Sequence, residues 1–346
     1  MTKILVTVQE QTSQANTAGS KAKDDIITIA KDQGYQSIVV ENPQGKKARL
    51  SYLFKAISGQ LKSFYKLDPE LIVFQYSGYN RFMSYIALHE LKKYNNCPFY
   101  LLVHDVKTLR TNETAKLNQG DFSKNEIKLF NKFDGLIVHN EKMKKWLQDN
   151  GVKVPMISLE IFDYINPQPI NEMQNFDKNV NFAGNLYKPV FLTKLNTKTK
   201  FVVYGVNPLK YGDSIDYRGS KTPEEIPAFL NEDFGLVWDG ESLTECSGID
   251  GNYMRYNNPH KTSLYLSSGI PVITWSQAAI ADFIKQHNVG IVIDDLNRID
   301  EVLANVTKDQ YLELKHNAEQ LAVKLRDGFY TKTALAKVEA LAHKNN

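Results

Sequence analysis

Two short apolar runs constrain this chain most. Phe234-Gly235-Leu236-Val237-Trp238 closes on Asp239-Gly240, and Pro271-Val272-Ile273-Thr274 follows a stretch that opens Asn258-Pro259-His260-Lys261 and closes at Gly269. Apolar runs of this length, bounded by Gly, Asp and Pro, read as strands buried on both faces. Asn at a capping position before Pro at the first helical position reads as a helix start, and Gly269 as its stop. Leu264, Leu266 and Ile270 then fall toward a core. A strand, loop, helix, strand unit belongs to an open α/β sheet.

The same unit carries a candidate site. First-turn amides of a helix have no intrahelical acceptor, and those of Lys261 to Ser263 lie beside the Lys261 ammonium. They sit at the carboxyl edge of a sheet, where open α/β proteins bind ligands. The expectation is a diphosphate seat built from Asn258, Pro259, His260, Lys261 and Thr262. An ordinary capped helix with a surface lysine is the plainer alternative.

The rest of the chain repeats this grammar. Strands are expected at 4–8, 37–41, 71–76, 99–103, 135–138 and 156–159, alternating with helices at 21–33, 50–65, to about 94, 123–133 and 141–150. A second series has strands at 179–183, 200–204, 215–217 and 290–293, a helix at 223–230, and closing helices at 308–326 and 332–344. Between them Pro167, Pro169 and polar residues mark a linker. The expected plan is two Rossmann-like domains with parallel sheets facing an interdomain cleft. They span 1–162 and 176–328, joined by a linker at 163–175, with a helix at 329–346 returning to the first domain. A length of 346 residues fits two cores.

Composition narrows the function classes. A formal charge of +3 gives no argument for nucleic acid. The first loop has Gly19 and no Gly-x-Gly-x-x-Gly, which disfavours NAD and FAD. Cys97 and Cys246 lie far apart and the seven histidines show no ligand spacing, so neither a metal nor another cofactor is expected. The start runs straight into a strand and no apolar run reaches about 18 residues, from which a cytoplasmic protein without membrane insertion is expected. The helix at 50–65 is apolar around much of its girth, through Tyr52, Leu53, Phe54, Ile57, Leu61, Phe64 and Tyr65. It reads as packed on two sides, with subunit packing and then a membrane surface as alternatives.

Several strand ends point at the same place. Gly184, Asn185 and Lys188 offer a second phosphate contact; Tyr204 and Tyr217 offer aromatic faces for a base. Asp239, Cys246, Ser247 and Gly248 lie in or beside the loop after the strand that ends at Trp238. From the first domain, His104 or Asp105 can take a proton from an attacking hydroxyl, while Asn16, Thr17, Gly19, Ser77 and Gly78 line the opposite wall.

Pro259-x-Lys261 followed by Gly269-x-Pro271-Val272 resembles the donor-binding signature of GT-B glycosyltransferases, and Gly184 to Lys188 resembles their diphosphate loop. The resemblance implies a donor sugar beside Asp239, Cys246, Ser247 and Gly248. Many such enzymes hold the ribose with a glutamate one turn after the lysine; here Leu264 stands at that place. A wider set of residues extends the likeness: Asn16-x-Ala18-Gly19-x-Lys21-Ala22-x-x-Asp25, His104-Asp105, Gly184-Asn185-Leu186, Trp238-Asp239-Gly240 and Asn258-Pro259-x-Lys261. Together they are similar to a bacterial family that includes the second glucosyltransferases of serine-rich-repeat adhesin O-glycosylation and related galactofuranosyltransferase-like proteins. That resemblance implies transfer of glucose or N-acetylglucosamine from a UDP-sugar to N-acetylglucosamine on Ser or Thr of a serine-rich acceptor protein. It also implies a cytoplasmic homo-oligomer, a dimer or a tetramer. A galactofuranosyltransferase of cell-surface polysaccharide, a UDP-sugar epimerase and a non-catalytic sugar-nucleotide-binding subunit are the rival readings, since fold alone assigns none of them.

Overall fold

Six apolar runs of the first half, β1 (Lys3–Val8), β2 (Tyr35–Val40), β3 (Leu71–Ser77), β4 (Phe99–Asp105), β5 (Gly135–Val138) and β6 (Met156–Ser158), align as one sheet in the order β2-β1-β3-β4-β5-β6. The second half supplies β7 (Val180–Ala183), β8 (Phe201–Tyr204), β9 (Ile215–Tyr217), β10 (Phe234–Val237), β11 (Val272–Trp275) and β12 (Gly290–Ile293), ordered β12-β11-β10-β7-β8-β9. This computed structural model describes residues 2–8, 18–43, 45–78, 81–112, 122–170 and 175–344. All the pairings are parallel. Every residue of β3, β7, β10 and β11 is buried, as sheets covered by helices on both faces require. The GT-B plan expected from the sequence is the fold observed.

In each sheet the strand order reverses once, between β1 and β3 and between β7 and β10, and crevices for ligands open at such points. The helix His260–Ser267 is held at the second one by Tyr265. Its ring lies against Gly235 of β10, where an added Cβ would fall 2.2 Å from Tyr265 Cγ, and its hydroxyl accepts the Ala183 N–H of β7 at 2.8 Å. Leu264, Leu266 and Ile270 are buried as expected. At the helix end Ile270 N–H reaches Tyr265 C=O and Gly269 N–H reaches Leu266 C=O, with Gly269 at φ +71°; this is a Schellman stop.

The chain end crosses back to the first half. Helix Lys308–Asp327 opens with a Thr307–Gln310 capping box and stops at Gly328, where φ is +77° and a Cβ would press on Ile29. Helix Phe329–Lys344 then packs on helix Ala18–Asp32 and β6. Asp163 accepts the Tyr330 and Thr331 amides at its start, at 3.2 and 2.6 Å, and burial pushes this carboxyl up to about 7. Lys3 pairs with Glu339 near its far end at 2.8 Å.

Several helices differ from expectation. The single helix at 50–65 is two, Gly45–Ile57 and Lys62–Tyr65, parted by Gly59 at φ +76°, and Lys46, Lys47 and Arg49 lie in the first turns of the longer one. Its two-sided packing is not seen within the chain, for Leu50, Phe54 and Ile57 are exposed. The helix at 223–230 is a 3-10 turn, Ile226–Phe229, with Pro227 inside it. The loop expected between the strand ending at Trp238 and the helix start at Asn258 contains a helix, Gly248–Tyr253.

Tyr265 cannot swing away from Gly235 without losing its bond to β7. Gly235→Ala is therefore expected to destabilise the protein by about 1–3 kcal/mol through overpacking, read as a lowered thermal midpoint. An unchanged midpoint would show that the ring has room to move.

Candidate active site

One wall of the site forms where the loop after β7, the end of β10 and the helix His260–Ser267 converge. Lys261 Nζ lies 2.8 Å from Asp239 Oδ1 and 3.3 Å from the Trp238 carbonyl, with its ammonium 4.6 Å from the Phe182 ring centroid. The Thr262 N–H donates to Pro259 C=O at 2.9 Å, which leaves His260 and Lys261 to supply the helix-start amides. His260 Nε2 and Thr262 Oγ1 are buried without hydrogen-bond partners. Burial and the Lys21 charge bring the His260 imidazole down to about 3, so it is neutral and its unpaired nitrogen is a polar group without a protein partner. Leu264, at the place where the GT-B resemblance would set a ribose-binding glutamate, is buried.

Asn258 does not cap this helix. It is buried at the junction of the two halves, where its Nδ2 donates to His139 C=O at 2.7 Å and Glu160 C=O at 2.9 Å, and its Oδ1 accepts Asn140 Nδ2 at 2.7 Å. Its N–H donates to His139 Nδ1 at 3.0 Å, while His139 Nε2 donates to His104 C=O at 2.8 Å. That arrangement fixes a neutral imidazole, and burial holds the His139 pKa down at about 4. Glu160 turns its carbonyl toward Asn258 with φ at +70°, in a tight turn where Ile161 N–H meets Leu159 C=O.

The opposite wall comes from the carboxyl edge of the first sheet. His104 stacks on Phe162 with ring centroids 5.6 Å apart and donates from Nε2 to Gln75 Oε1 at 2.7 Å. Gln75 in turn donates to Thr7 Oγ1 at 2.8 Å. Burial, with Lys23 and the neighbouring imidazoles, holds His104 well below its ordinary pKa. Asp105 is raised by burial, opposed by Arg110, Lys188 and the Tyr253 hydroxyl. Arg110 lies 3.6 Å from Asp105 and also pairs with Asp250, which Lys188 approaches at 3.4 Å. A row of alternating charges thus runs from the first half to the second. Helix Gly248–Tyr253 carries it across, its Tyr253 hydroxyl accepting the Val106 N–H at 3.1 Å.

The remaining expected residues divide. Gly184 and Asn185 lie beside Lys188 in the loop after β7, and Ser247 and Gly248 open the bridging helix. Ser77 sits at the end of β3, its hydroxyl accepting from buried Lys23 at 3.3 Å, and Gly78 packs on Lys107. Cys246 is fully buried and its thiol raised, so it offers no surface to a sugar. Tyr204 is also buried, donating to Phe229 C=O at 3.1 Å, so its ring presents no face to a base. Tyr217 is exposed but spends its hydroxyl on Gly205 C=O at 2.9 Å. Gly19 lies in helix Ala18–Asp32, whereas Asn16 and Thr17 fall outside the described residues. Lys23, Arg110, His139, Asn140, Asp250 and Tyr253 were not foreseen. Among the described residues, no group of three or more His, Cys, Asp or Glu side chains is placed to hold a metal ion.

Two Rossmann-like sheets meeting at their carboxyl edges, with a lysine-bearing helix start on one side and a histidine and a carboxylate on the other, define a GT-B glycosyltransferase. The chain belongs to the Glucosyltransferase 3-like family: residues 3–161 match its N-terminal domain and residues 180–338 its C-terminal domain. It is 30% identical over 335 residues to the β-1,6-galactofuranosyltransferase WbbI of Escherichia coli (strain K12), covering 93% of this chain and 94% of that protein. Identity to Glucosyltransferase 3 of Streptococcus parasanguinis is 22% over 323 residues, covering 91% and 92%. With Glucosyltransferase 3 of Streptococcus gordonii it is 26% over 212 residues, covering 60% and 62%. Two solved structures share the fold: a glycosyltransferase of Rickettsia africae (TM-score 0.62, 12% identity, 98% of each chain) and Anabaena HepE in complex with UDP-glucose (TM-score 0.60, 13% identity, 98% of this chain and 100% of that one).

The junction makes a pH-dependent prediction. The unfolded chain takes up a proton on His139 near the ordinary value of 6.5, whereas the folded chain resists to about 4, so this group's stabilisation is full above 6.5 and declines as pH falls through that window. Asp25 and Asp163, raised to about 6 and about 7, act in the opposite sense in any variant that retains them. His139→Gln should therefore lower the denaturant midpoint at pH 7, with the gap to the unmodified protein narrowing by pH 4.5. A gap constant across that range would show that His139 is not locked neutral.

Proposed function

We propose that this glycosyltransferase takes glucose or N-acetylglucosamine from a UDP-sugar and joins it to N-acetylglucosamine on Ser or Thr of a serine-rich acceptor protein. The observation that carries the reading is Lys261 at a helix start, at the strand-order reversal between β7 and β10. A diphosphate there meets an ammonium and first-turn amides together. The names of the streptococcal relatives support a glucosyl donor, and the fold shared with a protein solved with UDP-glucose supports a UDP-sugar. The proposal includes a cytoplasmic location and self-association as a dimer or tetramer. No helix among the described residues is long and apolar enough to cross a membrane.

In this reading the bond from the anomeric carbon to the UDP oxygen breaks as the bond to the acceptor oxygen forms. Lys261, the His260 and Lys261 amides and Lys188 meet the charge growing on the departing diphosphate. The acceptor proton passes to His104 or Asp105. His104 is neutral but a weak base, since burial and Lys23 disfavour its charged form. Asp105 has the raised pKa of a better base, yet it is engaged by Arg110 and Tyr253. A second role for Asp105, holding the halves together, follows from those contacts.

Two measurements test the reading. Lys261→Ala should raise the dissociation constant for UDP by well over tenfold, as loss of a charge-assisted contact to phosphate implies; unchanged affinity in calorimetry removes the seat. His104→Ala and Asp105→Asn, assayed separately, should show which lowers turnover while UDP still binds, and full activity in both excludes the pair. The assay offers UDP-glucose, UDP-N-acetylglucosamine and UDP-galactofuranose with a serine-rich peptide bearing N-acetylglucosamine. The third donor is included because of the WbbI relative. A mass gain from that donor alone would move the assignment to galactofuranosyl transfer.

A further inference from the structure

The first half carries a surface that the proposed reaction does not use. Helix Gly45–Ile57 and the short helix Lys62–Tyr65 expose Leu50, Phe54, Ile57 and Phe64, at 68%, 67%, 74% and 41% of their surface. Leu50, Phe54 and Ile57 follow at spacings of four and three residues and so form one stripe on one helix face. The underside is fixed. Ala56 and Tyr65 are buried, the Tyr52 and Tyr65 hydroxyls bond at 2.7 Å, and Asn95 Nδ2 holds the Tyr65 carbonyl at 2.7 Å. The apolar stripe is therefore presented outward by a rigid support.

Charge is sorted onto the same segment. Residues 45–66 contain Lys46, Lys47, Arg49, Lys55, Lys62 and Lys66 and no Asp or Glu. The chain as a whole has 42 Lys and Arg against 39 Asp and Glu, so outside this segment the balance is 36 against 39. The net positive charge of the protein thus resides in this stretch, and everything else is net negative. Lys46, Lys47, Lys55 and Lys62 are exposed. Among the described residues Lys66 is the member of the set that reaches a carboxylate, Asp68 at 3.9 Å.

We propose that this face docks on a bilayer surface rich in anionic phospholipid headgroups, with Leu50, Phe54, Ile57 and Phe64 entering the boundary between headgroups and acyl chains. Exposed large apolar side chains interleaved with cations and free of anions are the combination such a boundary accepts. A second copy of the chain fits less well. A two-fold contact sets each patch on itself, and here that would oppose one cationic face to another. Helix Gly45–Ile57 starts just after β2 ends at Val40, so Lys46 and Lys47 lie at the carboxyl edge of the first sheet. Docking there brings the edge that bears His104 and Asp105 toward the lipid surface.

Flotation of the full-length protein with vesicles tests this. It is expected to float with vesicles of phosphatidylcholine plus phosphatidylglycerol, to remain behind with phosphatidylcholine alone, and to be released by high salt. Each cation near an anionic surface is worth roughly fivefold in partitioning, so Lys46→Glu with Lys47→Glu should lower the vesicle-bound fraction by more than tenfold. Leu50→Ser, Phe54→Ser and Ile57→Ser together should also abolish flotation although every cation remains. Both variants should keep the far-ultraviolet spectrum, UDP affinity and turnover on a soluble acceptor, because all the changed side chains are exposed. Equal flotation with neutral and anionic vesicles overturns the proposal, as does unaltered flotation of either variant. It is also overturned if the protein fails to float and light scattering shows that the serine variant converts an oligomer to a monomer; the face would then be a subunit contact.

Discussion

One buried amide sets where the two halves of this protein stand. Asn258 bonds through both side-chain atoms and its N–H to His139, Asn140 and Glu160, all at the carboxyl edge of the first sheet. Because Pro259, His260 and Lys261 follow directly in the chain, the position of the proposed phosphate seat is set by bonds made to the other half. Leaving the buried His139 carbonyl and the buried Asn258 amide unpaired costs about 1–3 kcal/mol each, so the cluster resists rotation between the halves. Even the left-handed turn at Glu160 is understandable here, for it aims a carbonyl at Asn258.

A second connection flanks the first and differs in kind. Helix Gly248–Tyr253 reaches the first half through Arg110 and Asp250, and through the Tyr253 hydroxyl on Val106 N–H. The Arg110 and Asp250 side chains keep 16% and 27% of their surface open, so water can replace part of their attraction when they separate. Asn258, His139 and Asn140 are buried and have no such access. Of the two, the ion pair is the cheaper contact to break, which makes the edge at Gly248–Tyr253 the side on which the cleft can widen while the Asn258 edge holds.

The fold was legible because it is written locally. Buried parallel strands are apolar runs, and the Asn-Pro start and Gly stop of one helix lie within a dozen residues of each other. The site was legible only where its chemistry coincided with such punctuation, as at Lys261. Asn258 reads as a cap because capping is a local preference, yet the partners that claim it lie 98 to 119 residues away. His139 carries no pattern at all. Helix Gly248–Tyr253 was hidden by its glycines, and Gly251 is required there because a Cβ would meet the Cys246 backbone at 2.5 Å. Cys246 itself was placed at a pocket by its neighbours in sequence, whereas packing drew it into the core with Trp238.

The cations of the proposed seat are already paired, so the site is balanced without a ligand, and the proposed diphosphate has to compete with those pairs. Two lysines and an arginine near one cleft would repel each other, but Lys261 rests on Asp239, and Lys188 and Arg110 share Asp250. Binding an anion there exchanges one partner for another and creates no ion pair from nothing. A singly charged ligand gains little from that exchange, since it replaces a carboxylate of equal charge already held in good geometry. A diphosphate brings more negative charge and more acceptor oxygens than the carboxylates give up, and it also meets the helix-start amides that the carboxylates leave unused. In the proposed reading, selectivity for a nucleotide over simple anions comes from the resting pairs as much as from the lysines, and an uncompensated cluster of the same cations would discriminate less.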